Sequence, residues 1–307
     1  LKTFNGISKF KSAEPTIITI GTFDGVHIGH RTILQRLINN AKTKGLKSAV
    51  LTFFPHPRMV LQKDTDIKLL NTLVEKKESM EALGLDYLIV HPFTKEFSRL
   101  SALEFVRDLL VDQLRVKKVI IGYDHRFGRN RNANIKDLIG FGHTFGFEVE
   151  EIPAQEIDDV SVSSTKIRRA LLSGDVHTAN GYLGYHYMVS GTVRKGKGLG
   201  HQMGFPTANL AVAEAYKLVP ENGVYAVHAF LQGTKVHGMM NIGYNPTVNG
   251  TEKSIEVHFF DFEGDLYGQS IEVRFLKKIR DEKKFASVVL LKEQLQRDRE
   301  TCLGLIT

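Results

Sequence analysis

The stretch ITIGTFDGVHIGHRTIL limits the fold more than any other part of this 307-residue chain. A β-branched run at 17–20 leads through Gly21 and Gly25 to His27 and His30. A helical pattern then puts Ile33, Leu34, Leu37, Ile38 and Ala41 on one face. Strand, glycine-rich turn and helix in that order is how an α/β sheet makes a phosphate site. N–H groups at a helix start lack intrahelical partners and carry the positive end of the macrodipole, and glycines let a nucleotide approach the backbone. His27 and His30 can then donate to phosphate oxygens as charge builds up. Two histidines merely capping a buried turn is the plainer alternative, and Gly21, Phe23, Asp24, Gly25 and Gly29 in fixed register around them weigh against it.

The next hundred residues alternate. After a helix at about 29–45 come the strand KSAVLTFF, a helix from Thr72 whose spacing to Glu75 makes a capping box and which ends at Gly84, and a strand at 87–90. Ser101 and Glu104 cap a helix through Leu114; VKKVIIG, a helix at 134–145 and FEVEEI follow. Such alternation predicts a mostly parallel sheet covered on both faces, with ligands bound beyond the carboxyl ends of its strands.

Three further segments fall beyond strand ends or at a helix start. FFPHPR places His56 and Arg58 in a turn stiffened by Pro55 and Pro57, and GYDHRFGRNRNAN carries Asp124, Arg126, Arg129 and Arg131. Each alone fits a plain polar loop equally well. SVSSTKIRRALLSG offers Ser163, Ser164 and Thr165 at a helix start, with Lys166, Arg168 and Arg169 one turn inside it. Hydroxyls and helix amides can hold phosphates while the cations neutralise them; an N-cap on a surface helix explains the serines but not the cations.

The net charge of +7 raises the question of nucleic acid, but the basic tracts are dispersed and only 126–131 interleaves an aromatic residue. We therefore expect no nucleic-acid partner. No apolar run approaches the roughly 20 residues of a membrane span, and the first residues lack a signal-peptide core, so the expected compartment is the cytoplasm without membrane attachment. Because the chain starts at Leu1, an initiator Met is expected to precede it. The single cysteine, Cys302, excludes an intrachain disulfide or a cysteine-based zinc cluster and reads as an incidental apolar residue. The oligomeric state stays open, a homo-oligomer included.

GTFDGVHIGH, GYDHRFGRNRNAN and SSTKIRR together resemble the nucleotidyltransferase half of bacterial bifunctional riboflavin kinase/FMN adenylyltransferases. The resemblance implies His27 and His30 at the ATP phosphates, Ser164, Thr165 and Arg168 closing on them, and the loop with Asp124 and Arg126 near the adenosine or a flavin phosphate. His125 departs from the Phe common in that family.

After about residue 172 helical periodicity gives out through SGDVHTANGYLGYHYM. Short strand-like segments with close turns then suggest an antiparallel barrel, followed by a helix from Ser287 whose Leu290, Leu291, Leu295 and Leu303 should pack against it. The expected architecture is an α/β doubly wound, Rossmann-like nucleotidyltransferase domain at 1–184 and an antiparallel β-barrel domain with a C-terminal helix at 185–307.

In this half GTVRKGKGLGHQMGFPTAN resembles the nucleotide loop of riboflavin kinases, with Gly196, Gly198 and Gly200 wrapping phosphates and Pro206 in the FPTAN motif. Thr207 and Asn209 offer hard oxygen ligands suited to Mg²⁺ bridging ATP phosphates. His201 and Asn245 stand where Arg is usual. In SIEVHFFDF, Glu256 and His258 share a strand face, and Glu256 matches the family's catalytic glutamate; a solvent-facing glutamate is the competing reading. Asn241 in NIGYNPTVNG and Arg280 belong to the flavin side by the same resemblance.

The implied chemistry is two transfers from ATP with Mg²⁺. The barrel makes FMN from riboflavin, and the first domain joins FMN to AMP, giving FAD and pyrophosphate. The FMN phosphate is already ionised, so the first domain needs charge stabilisation and positioning but no general base. Another small-molecule nucleotidyltransferase leaves FPTAN and Glu256 without purpose. A non-enzymatic flavin- or RNA-binding module and a single-activity flavin enzyme also stay open.

Overall fold

The computed structural model describes residues 1–12, 14–62, 66–123, 125–153, 162–196, 200, 203–247 and 250–305. Asp124, Gly198 and His201 lie outside the described residues. Packing divides the chain into two units, Leu1–Ser163 and Ser164–Thr307.

The first unit is built on a six-stranded parallel sheet of β1 (Lys2–Asn5), β2 (Thr16–Ile20), β3 (Lys47–Phe54), β4 (Tyr87–Pro92), β5 (Val116–Gly122) and β6 (Glu148–Ile152). Its order is β1-β4-β3-β2-β5-β6. All five β2 residues are buried because a central parallel strand is covered on both faces. Ile18, Ile20, Leu51 and Val119 pack on one side with Phe105, Val106 and Leu110, while Ile17, Val50 and Ile120 meet Leu34 and Leu37 of α1 (Ile28–Lys44) on the other. From β2 the chain steps outward to β3 and β4, then crosses back to β5 on the other flank of β2. The carboxyl ends of β2 and β5 therefore border the point where strand order reverses, which is where such sheets bind ligands.

The helices follow their caps. Thr72 and Glu75 form the capping box of α3 (Leu73–Ala82), and Asn134 and Asp137 that of α5 (Ile135–Phe145). Ser101 and Glu104 start α4, which is α-helical over Ala102–Glu104 and becomes a π-helix over Phe105–Gln113. That change, the edge strand β1, and the short α2 (Pro57–Leu61) after His56 were not expected from the sequence. β1 is polar at three of its four positions, and only its pairing with β4 makes it a strand.

In the second unit, α6 (Ser164–Leu172) and α7 (Val176–Leu183) precede the barrel. α7 occupies a stretch whose helical periodicity was expected to lapse. Asp175 caps it, and Val176, Ala179 and Leu183 form a buried stripe around the polar residues and Gly181. The strands β7 (Met188–Arg194), β8 (Ala208–Ala211), β9 (Gly223–Leu231), β10 (Thr234–Thr247), β11 (Gly250–Phe259) and β12 (Ser270–Arg280) close in the order β10-β11-β8-β7-β12-β9, every pair antiparallel. Tyr225, Val227, Met240, Val257 and Phe275 are among its fully buried residues. α8 (Val288–Gly304) covers part of the barrel's outside. Its Leu295, Cys302 and Leu303 pack with Val224, Ala226, Met239, Phe205 and Phe260. Leu290 is instead exposed, since it lies in the first turn, ahead of the contact. Cys302 is a core residue whose thiol burial pushes up to about 12.

Candidate active sites

The turn after β2 is tied down from several directions. Gly21 N–H donates to Leu51 O (3.0 Å), and Val26 N–H donates to Phe23 O (3.2 Å). Phe23 and Val26 both hold positive φ, 47° and 39°, a costly conformation for non-glycine residues and most of all for β-branched Val26. Gly25, at φ 89°, supplies the freedom the turn needs between them. Buried Asp24 accepts from Leu70 N–H (2.9 Å) and Asn71 N–H (3.4 Å), binding the turn to the segment that leads into α3.

His27 is the N-cap of α1, its Nδ1 accepting from His30 N–H at 3.4 Å. That bond leaves the proton of a neutral ring on Nε2, where it can be donated to a ligand. The His27 and His30 rings stack 3.6 Å apart at 18°, and Phe23 meets His30 edge-on at 5.1 Å. Two imidazolium ions would repel strongly at that separation. Burial lowers His27 to about 4, partly opposed by Asp24. Burial, then the charges of His27 and Lys76, hold His30 well below the ordinary histidine range. Both rings are neutral at pH 7. Within hydrogen-bonding distance of His30 Nδ1, which is buried, the described residues place no partner.

Beyond β5, the loop starting at Tyr123 closes on itself where Phe127 and Ala133 exchange backbone hydrogen bonds of 3.1 and 3.2 Å. Phe127 packs on Phe105 of α4, 5.7 Å between centroids. Gly128 (φ 72°) lies so close to Ala102 that a Cβ would come within 3.0 Å of its backbone nitrogen. Arg126 is exposed at this loop.

The barrel brings the other predicted residues into one registered row. Glu256 on β11 stands opposite both Asn209 on β8 and Asn241 on β10; Asn209 faces Arg194, Asn241 faces Val224, and Val224 faces Arg280. Directly paired residues share a face, so Asn209, Glu256 and Asn241 emerge side by side. Thr207 Oγ1 reaches Glu256 Oε2 at 3.5 Å, the outer limit of a hydrogen bond. The preceding residue is fixed by His258, whose Nδ1 lies 2.8 Å from Pro206 O.

Glycines crowd the same row. A Cβ on Gly196 would fall 2.6 Å from Asn209 Cγ, and one on Gly243 2.9 Å from Glu282 Cδ. Gly200 packs against the Phe205 carbonyl and lies 3.4 Å, by the same measure, from Thr207 Oγ1. Arg280 is engaged by α8, with Nε 2.9 Å and Nη2 2.7 Å from the buried Asp298 carboxylate.

Residues 9–166 match the FAD synthetase family and residues 183–306 the riboflavin kinase family. A bifunctional riboflavin kinase/FMN adenylyltransferase of Listeria monocytogenes is 40% identical over 286 residues, covering 92% of this chain and 90% of its own. One of Escherichia coli K12 is 38% identical over 304 residues, covering 98% and 96%. The chain belongs to the bifunctional riboflavin kinase/FMN adenylyltransferase family. A solved structure named macrolide-efflux protein, from Streptococcus pneumoniae, shares 30% identity and a TM-score of 0.89 over 98% of both chains.

Ser164, Thr165 and Arg168 form the first turns of α6, with Ser164 and Arg168 half-buried and Thr165 exposed. By packing they belong to the second unit. Lys76, which no motif marks, donates from Nζ to Thr22 O at 2.7 Å directly beneath the histidine turn. A signal was available: a lysine one turn before Met80 lies on the buried stripe of its own helix.

Proposed function

We propose that the turn at 21–30 carries FMN adenylylation and that the Asn209–Glu256–Asn241 row carries riboflavin phosphorylation. Residues 1–184 form the first catalytic domain and 185–307 the second, a division supported by the matched ranges 9–166 and 183–306. In the barrel the terminal ribityl hydroxyl of riboflavin gives its proton to Glu256 as its oxygen attacks the γ-phosphorus of ATP and ADP leaves. In the first domain an FMN phosphate oxygen attacks the α-phosphorus of ATP and pyrophosphate leaves. His27 Nε2–H and the free N–H groups at the start of α1 donate to the phosphates, stabilising charge without a proton transfer.

The donors near Glu256 suit Mg²⁺: a hydroxyl from Thr207 and an amide oxygen from Asn209 are hard ligands, and Gly196 leaves room beside the latter. Mg²⁺ bound there neutralises phosphate charge. Ser164, Thr165 and Arg168 are the further phosphate ligands of the adenylyl-transfer reaction, and Arg126 binds near the flavin or adenosine phosphate. No described helix is long and apolar enough to cross a membrane. The expected setting is the cytoplasm, with riboflavin, FMN and ATP as small-molecule partners.

The observation that carries this reading is the pairing of Glu256 with Asn209 beside Thr207. Incubation of the purified chain with riboflavin, ATP and Mg²⁺ should yield FMN and then FAD by chromatography. Absence of both products would sink the reading, and FMN without FAD would remove its first half.

A further inference from the structure

The histidine turn is supported from below by one short segment. Leu70 and Asn71 hold Asp24 through their N–H groups, and Lys76, next after the Thr72–Glu75 capping box, holds Thr22 O. The Thr22 carbonyl also accepts from Thr52 Oγ1 at 3.2 Å. These ties fall on the residues adjoining Phe23, where positive φ begins. A turn with two non-glycine residues at positive φ persists only when its surroundings over-determine it.

Lys76 is an expensive choice for such a tie. Its side chain is buried, and burial lowers its pKa against the opposing pull of Asp24. A neutral donor could serve the Thr22 carbonyl with a smaller desolvation cost. What a neutral donor lacks is charge beneath the stacked histidines.

We propose that Lys76 is a positioning residue for adenylyl transfer, fixing the Thr22–Phe23 peptide and bearing on His30 with its buried ammonium. This rests on the assignment of adenylyl transfer to the turn. The charged and titratable groups bearing on His30 are His27 from the start of α1 and Lys76 from α3, while Asp24 from the turn bears on His27 and on Lys76. The Lys76 charge adds to the burial that keeps His30 a neutral ring, and the phosphates meet a positive field they need not reorganise.

The test uses the full chain with Lys76→Met and Lys76→Gln, the latter retaining a donor without the charge. Riboflavin kinase activity of the same preparations serves as the control for the second unit. FAD formation from supplied FMN should fall on the order of 10²-fold in Lys76→Met. In both variants the His30 ring, followed by NMR, should titrate at higher pH than in the parent. A parent-like rate in Lys76→Met overturns the positioning role, and an unmoved His30 titration in Lys76→Gln overturns the electrostatic one. If the parent itself forms FMN but no FAD, the assignment of the turn fails, independently of Lys76.

Discussion

Glu256 and Asn209 stand directly opposite each other across the β8–β11 pair, so a carboxylate and an amide leave the barrel surface side by side. Thr207 then comes within 3.5 Å of the same carboxylate. Glu256→Gln keeps shape and removes the proton acceptor. FMN formation should drop about 10²–10⁴-fold, while FAD formation from supplied FMN stays at the parent rate. Separate assays of the two half-reactions decide this.

His30→Ala should act on the other half-reaction alone. Loss of the ring stacked on His27 removes its support at the proposed phosphate site, and FAD formation should fall about 10²–10³-fold with riboflavin phosphorylation unchanged. Loss of both activities in a folded variant would contradict independent sites.

Acid should destabilise the first unit through His27. Its folded-state pKa, lowered to about 4, lies below the unfolded value of 6.5, so the unfolded chain takes up the proton first. The stabilising contribution is complete above 6.5 and is lost as pH falls from 6.5 through 4. It amounts to about 3 kcal/mol. Urea midpoints of the first unit measured across that window should fall, and should fall less in His27→Asn.

Gly196→Ala tests the amide proposed to face Mg²⁺ without mutating it. The new Cβ would displace Asn209, whose Cγ lies 2.6 Å from that position. The Mg²⁺ requirement of the kinase half-reaction should rise about 10–100-fold. Asn209→Ala in the same titration should match or exceed this effect.

Much of the first unit is written locally. KSAVLTFF and VKKVIIG become β3 and β5, and the Thr72–Glu75 and Ser101–Glu104 spacings mark helix starts because a capping box needs only four neighbouring residues. β1 was illegible because its strand character comes from β4, more than eighty residues away. α7 was illegible because its stripe of Val176, Ala179 and Leu183 is thin and interrupted by polar residues. His27, His30, Glu256, Thr207 and Asn209 announce themselves by motif. Lys76 does not, since its role depends on a carbonyl fifty-four positions earlier in the chain. Arg280 was legible as a residue near the row, but its engagement with Asp298 of α8 requires the helix to be seen in place.

The registered row across β8, β11 and β10, as the proposed kinase site, makes that chemistry a matter of odd and even. Side chains alternate along a strand, so one residue gained or lost within any of the three would turn its member of the row to the opposite face, leaving composition nearly untouched. Descendants of this gene can therefore drift in amino-acid identity along these strands far more freely than in length. Insertions and deletions that survive selection should collect in the turns, and a family history read from gap positions alone should trace the outline of the barrel.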